Sequence, residues 1–346
     1  MSTPILARSQ IAAATDFRPR RFLSNGHLQT IVGNYLPREN HLPEPIAQLV
    51  EVSPAVGGQI ASQVLCHCHW QPSDVRASRP TAILVHGLEG SSRSQYVIGN
   101  ANKLWQAGAN IVRMNMRNCG GTEQLTPTLY HSGLSNDVLE VMRFFTAQHG
   151  LQSLSLVGYS MGGNLVLKLA GELGDQAPSE LHSVIGVSPA VDLGPSADAL
   201  HQPLNRLYEL KFLRALLRRF RRKASLFPRA YDANQAVDIT SLRDFDHRIT
   251  ALYSGFASAD DYYYRAAAAR VIDRIAVPTL ILHALDDPFI RLTRESRDLI
   301  LANPNITLVE TAHGGHCAFL ADADSANKND GYWAEHAALR FFLANA

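Results

Sequence analysis

At 346 residues the chain exceeds the usual single-domain length and suits one large α/β domain carrying an insertion. Its 32 Lys and Arg almost balance 31 Asp and Glu, so the molecule as a whole lacks the basic excess of a nucleic-acid binder. An apolar content of 46% is that of a folded globular protein and excludes a disordered one.

The opening stretch MSTPILARSQIAAATDF breaks its apolar pieces with Arg8, Ser9 and Gln10, so it is not read as a secretory signal. Pro19, Pro37, Pro43 and Pro45 punctuate residues 1–45, which predicts an irregular N-terminal arm packing on the core. No run of about 18 apolar residues occurs, which argues against a spanning helix. Cys66, Cys68, Cys119 and Cys317 show no disulfide-framework spacing, and the expectation is a reduced, cytoplasmic protein.

From residue 46 short apolar runs alternate with longer helical patterns. Strands are expected at 47–52, 62–69, 81–86, 110–114, 154–157, 184–188, 279–284 and 306–310, with helices at 95–107, 135–149 and 161–173. SPAVGGQIA joins the first two strands like a hairpin, and the rest alternate β with α. The pattern predicts a mostly parallel eight-stranded sheet flanked by helices, with antiparallel strands at its start. The alternation breaks over 192–270, read as a helical cap inserted between two late strands. The core is then 46–191 together with 271–346.

Within SLVGYSMGGNLVLKLAG, the pentapeptide Gly158-Tyr159-Ser160-Met161-Gly162 follows an expected strand and opens an expected helix. Such a bend pushes the serine Oγ out above the strand ends, and the helix aims its free N–H groups at a developing oxyanion. No G-K-[ST] follows for a phosphate loop, and the dinucleotide pattern lacks its second glycine. A serine hydroxyl needs a base, and the base an orienting acid, in the chain order serine, acid, histidine. Asp287, before Pro288 and after one strand, and His316, beyond the Gly314-Gly315 bend, fill that order. Asp286 is read as a turn cap, His313 as the less suited histidine and Asp192 as a substitute acid. The Met161 and Leu88 amides are the expected oxyanion donors.

Together with Gly26-His27-Leu28-Gln29-Thr30, His86-Gly87-Leu88-Glu89-Gly90-Ser91, Tyr130-His131-Ser132-Gly133, Asp261-Tyr262-Tyr263 and His313-Gly314-Gly315-His316, these residues resemble the α/β-hydrolase superfamily, and within it the YheT-like esterases. The resemblance implies the α/β-hydrolase fold and serine carboxylic-ester hydrolysis without metal or organic cofactor. It carries over Ser160, Asp287 and His316 as the triad. The substrates expected are short- to medium-chain acyl esters or acylglycerol-like lipids. Asn118 and Ala318 stand where the family usually has glycine, and Asn tolerates left-handed backbone best among the others. Some eukaryotic relatives carry an N-terminal anchor, which this chain is not expected to have.

His27, His86, His131 and Tyr159 are candidate pocket-lining residues, with His27 and His131 alternatively holding the arm against the core. Cys66-His67-Cys68-His69 resembles a metal tract. On a strand, however, its cysteines and histidines face opposite sides, and two ligands fall short of a zinc site. Residues 206–224 carry eight basic residues and an apolar stripe of Leu207, Leu210, Leu213, Leu217 and Phe220. That pattern fits a cap helix packed on the core, or contact with anionic lipid through Arg214, Arg218, Arg219, Arg221 and Arg222. Thioester cleavage or acyl transfer by the same triad, and a lipid-surface binding protein with a vestigial site, are the rival functions.

Overall fold

The computed structural model describes residues 17–324 and 329–346, so the expectation of no secretory signal rests mainly on residues outside these. The strands are β1 (Ile46–Ser53), β2 (Ser62–His69), β3 (Thr81–Val85), β4 (Asn110–Met114), β5 (Leu154–Tyr159), β6 (Leu181–Val187), β7 (Thr279–Ala284) and β8 (Ile306–Thr311). They form one eight-stranded sheet in the order β1-β2-β4-β3-β5-β6-β7-β8. β2 pairs antiparallel with β1 and β4, and every other pairing is parallel. The central strands β3, β4, β5 and β7 are buried along their whole length, which suits their mainly apolar sequences. β6 starts three residues before the expected 184, because Ser183 is polar yet buried. Its hydroxyl lies 2.7 Å from that of Ser155 on β5.

Side-chain alternation divides the interior. Ile83 and Val85 of β3 face one core cluster, while Ala82 and Leu84 face the other. Helices α2 (Gln95–Gln106) and α9 (Trp333–Ala344) cover the second face; α3 (Ser135–His149), α4 (Met161–Leu173) and α8 (Arg294–Ala302) cover the first. Cys66 and Cys68 of β2 point into the first core. On the opposite side His67 Nδ1 lies 2.7 Å from Ser92 Oγ, and His69 Nε2 lies 3.0 Å from Arg113 Nη2.

Ahead of the sheet, α1 (Gly26–Tyr35) begins at Asn25, whose side chain accepts the His27 and Leu28 amides. Between β6 and β7 the chain forms α5 (Leu193–Leu200), α6 (Arg206–Leu226), a π turn (Asp246–Ala251) and α7 (Ala259–Ala266). The stripe of α6 that meets the core is Leu213, Leu216, Phe220 and Ala224; Leu207, expected in it, is 82% exposed. In the first turn the inward side is taken by Glu209, which is buried, and Leu207, two residues earlier, faces the opposite way into solvent.

Candidate active site

Ser160 joins β5 to α4 with φ 54° and ψ −118°, a conformation in which a side chain is strained. The turn is held by the Ser160 amide, which donates to the Val187 carbonyl at 2.9 Å. A Cβ on Gly162 would run into the backbone carbonyl oxygens of Val85 and His86, and one on Gly158 into that of Gly162. Strand and helix cross closely enough to present the serine only because these positions are bare. Met161 opens α4, so its amide belongs to the first helical turn, whose N–H groups have no partner within the helix.

Asp287, in the loop after β7, is 3% exposed. Its Oδ1 accepts the Phe289 and Ile290 amides at 3.1 and 2.9 Å, and its Oδ2 lies 2.8 Å from His316 Nδ1. Burial works against its charge, but the His316 ring and these amides together hold the carboxyl below its ordinary pKa. Burial likewise opposes a charged His316 ring, and the neighbouring Cys317 sulfur and Asp287 carboxylate outweigh it, raising that pKa. Phe289 packs against the imidazole with ring centroids 4.4 Å apart, and Cys317 Sγ lies 3.7 Å from Nε2. Ser160 Oγ makes no hydrogen bond among the described residues, but Ser160 and His316 border the same cavity.

The loop carrying His316 is fastened by two other segments. Asp286 Oδ1 accepts the Gly315 amide at 2.8 Å, and Asp286 Oδ2 lies 3.5 Å from His313 Nδ1. Thr30 of α1 accepts the His316 amide at 2.8 Å and donates to the Gly26 carbonyl at 2.7 Å. Gln29, wholly buried, donates to the carbonyls of Leu23 and Leu320 and accepts the Leu320 amide. The Gly26–Thr30 segment therefore buttresses the histidine loop. Sequence spacing gave no hint of this role, because the two segments lie almost 290 residues apart. A Cβ on Gly33 would come 2.5 Å from the Ala318 methyl, so that alanine sits beside a bare position on α1. Asn118 takes φ 64°, so its turn keeps the left-handed form.

Two cavities meet at Ser160 and Leu88. The inner one, about 130 Å³, lies beneath α5 and α6 among Leu129, Leu193, Leu200, Leu216, Phe245 and other largely apolar side chains. The outer one, about 500 Å³, opens between α1 and α6 and reaches His316.

His131 borders the inner cavity, its ring edge-on to Phe256, and burial pushes its pKa down to about 4. His27 Nδ1 lies 3.3 Å from Tyr208 Oη, at the rim of the outer cavity rather than in its wall. His86 and Tyr159 line neither. His86 is wholly buried: Nδ1 donates to the Gly87 carbonyl at 2.8 Å and Nε2 accepts the Met116 amide at 3.1 Å. Tyr159 ends β5 on the face opposite Leu156, where it packs against Tyr96.

Asp192 is committed elsewhere, accepting Thr293 N–H at 2.9 Å and Ser296 O–H at 2.7 Å at the start of α8. Arg219, expected among the arginines facing anionic lipid, turns inward instead and pairs with Glu89 at 2.9 Å. The helical period places it next to buried Phe220, and Glu89 supplies its counter-charge.

A family model described as the alpha/beta hydrolase fold matches residues 80–323. The chain is 30% identical over 315 residues to the esterase-named protein YheT of Escherichia coli strain K12, covering 90% of this chain and 89% of that one. It is 31% identical over 245 residues to the mouse phospholipase ABHD3, covering 70% of this chain and 59% of the relative. It is 28% identical over 268 residues to a Saccharomyces cerevisiae monoacylglycerol lipase, covering 74% and 59%. Among solved structures, 2,6-dihydroxy-pseudo-oxynicotine hydrolase superposes with TM-score 0.54 at 17% identity, over 91% of this chain and 71% of the other. Est1E from Butyrivibrio proteoclasticus does so with TM-score 0.51 at 15% identity, over 86% and 97%. The chain belongs to the α/β-hydrolase family, in its YheT-like branch of carboxylic ester hydrolases. Among the described residues no helix is long and apolar enough to cross a membrane.

Proposed function

We propose that the protein hydrolyses short- to medium-chain acyl esters through an acyl-serine intermediate, with residues 192–270 as its cap and residues 17–45 as an arm over the core. The observation that carries this reading is Ser160, strained at its turn, facing a cavity shared with His316, whose Nδ1 meets buried Asp287 at 2.8 Å. Ser160 Oγ attacks the ester carbon while His316 Nε2 takes its proton. The leaving alcohol departs with that proton, and a water activated by the same ring releases the acid. Asp287 orients the imidazole and steadies its charged form. The Leu88 and Met161 amides receive the oxyanion; losing one such donor typically costs about 10²–10³ in rate.

The acyl chain belongs in the inner cavity. Its volume of about 130 Å³ and apolar wall suit a chain of roughly six carbons, since an apolar cavity of about 150 Å³ takes up benzene. The alcohol belongs in the wider outer cavity beside His316, which leaves room for an acylglycerol-like head group. The phospholipase and monoacylglycerol lipase among the relatives favour lipid esters of that kind. Contact with anionic lipid falls to exposed Arg214, Arg218, Arg221 and Arg222, flanked by Leu204 and Leu207 at 84% and 82% exposure. Failure to bind anionic vesicles at low salt would remove that part. A reduced, cytoplasmic setting suits four free, buried cysteines.

The test is a fluorophosphonate probe with a chain-length series of chromogenic esters. Labelling that disappears in Ser160→Ala, with fastest hydrolysis between about four and eight acyl carbons, is expected. Well-folded protein that takes no label and turns over no ester in the series refutes the reading.

A further inference from the structure

The loop after β3 makes a tight turn in which the Gly90 amide donates to the Gly87 carbonyl at 3.1 Å. His86 Nδ1 donates to the same oxygen at 2.8 Å. That carbonyl shares a peptide plane with the Leu88 N–H and points the opposite way, so fixing the oxygen aims the amide outward. Among the described residues the Leu88 amide has no protein acceptor. The turn has negative φ at Leu88 and φ 56° at Glu89, a type II geometry that ordinarily calls for glycine or asparagine at its third position. Glutamate stands there instead.

Its carboxylate is gripped from two sides. Arg219 of α6 donates Nε to Oε1 at 2.9 Å and Nη2 to Oε2 at 3.0 Å, a bidentate pair with 15% and 11% side-chain exposure. Tyr130 donates its hydroxyl to Oε1 at 2.5 Å and accepts the Glu89 amide at 3.3 Å. Arg219 Nη1 also donates to the Asn118 carbonyl and lies 3.3 Å from Glu123 Oε1. Leu88, Tyr130, Arg219 and Ser160 all border the inner cavity.

We propose that Glu89, Tyr130 and Arg219 form a clamp that holds this turn in its left-handed form, so that the Leu88 amide is preorganised for the oxyanion and its position is tied to cap helix α6. The proposal rests on the ester-hydrolase reading above. All three are positioning residues; none touches the reacting atoms. A Gly at position 89 would satisfy the backbone alone. Glutamate adds a connection to the cap, through which displacement of α6 loosens the oxyanion donor.

The experiment compares Arg219→Met, Arg219→Lys, Glu89→Ala and Glu89→Gly with wild type. The readouts are kcat and KM on a hexanoate ester, affinity for a trifluoromethyl ketone, and thermal melting. Arg219→Met and Glu89→Ala are expected to lower kcat about 10- to 100-fold with KM within about threefold, since a 1 Å misplacement can cost about 10². Ketone affinity should fall by the same factor as kcat/KM, because its adduct carries the oxyanion. Glu89→Gly should recover part of what Glu89→Ala loses, and Arg219→Lys part of what Arg219→Met loses. If Arg219→Met fails to fold, the Ala-against-Gly comparison at position 89 decides alone. Wild-type kcat and ketone affinity in Glu89→Ala, with an active wild type, overturn the clamp only. A wild type that hydrolyses no ester overturns the clamp together with the underlying reading.

Discussion

Thr30→Val removes one hydroxyl and leaves the shape of the side chain nearly unchanged. That hydroxyl is the acceptor of the His316 amide and a donor to the Gly26 carbonyl. Within α1 the Gly26 carbonyl still accepts the amide four residues on, so it stays satisfied. The His316 amide does not; leaving a fully buried donor unmade costs about 1–3 kcal/mol, and this part-buried one belongs at the low end, about 1 kcal/mol. Urea unfolding is therefore expected to show a loss of that size. The kinetic effect should exceed the stability loss in specificity: kcat falls about 10- to 100-fold while KM, set by the cavities, changes little. Thr30→Ser, which keeps the hydroxyl, should stay near wild type in both assays. Thr30→Val with wild-type kcat and an unchanged urea midpoint would refute the view that α1 fixes the histidine loop.

Ester hydrolysis should lose activity toward acid with an apparent pKa above the ordinary histidine value of about 6.5. The protonated ring cannot act as base, and the Asp287 carboxylate raises its pKa. Asp287→Asn should move that limb down and cut kcat by about 10⁴; a pH–rate profile unchanged in the variant contradicts this. Asp287 itself has a depressed pKa, so its contribution to stability is present above about pH 3.9 and lost as pH falls through the folded value. Leu216→Trp, projecting into the inner cavity, should shift preference toward acetate, each rejected methylene costing about 10- to 200-fold; an unaltered chain-length profile counts against the cavity assignment. Gly162→Ala drives a methyl into the Val85 and His86 carbonyls. Overpacking of about 1–3 kcal/mol or more should follow, and a melting temperature equal to wild type would show that the crossing can widen.

Much of this protein was legible in the chain. Apolar runs and apolar–polar alternation located all eight strands within a few residues, the central ones because burial on both faces leaves few polar residues to interrupt them. The bend at Ser160 was readable because a strand must reverse into a helix around bare positions, a constraint that is purely local. The proposed triad was read by matching Ser160, Asp287 and His316 to the chain order serine, acid, histidine, in loops that a parallel sheet gathers at one edge. Direction across the sheet was not readable at the ends of these patterns. Tyr159 and His86 sit beside the site in sequence yet point into the core: Tyr159 keeps to the face of Val157 on β5, and His86, one residue past β3, is wholly buried. Arg219 was indistinguishable from its neighbours Arg218 and Arg221 until the helix had a partner, and only tertiary packing brought Glu89 opposite it. The same holds for Gln29 and Thr30, whose acceptors and donors lie at the other end of the chain. Local periodicity and turn chemistry are written residue by residue. The pairing of polar groups across nearly 300 residues exists only once hydrophobic burial has brought them together, and there it was the fold that decided.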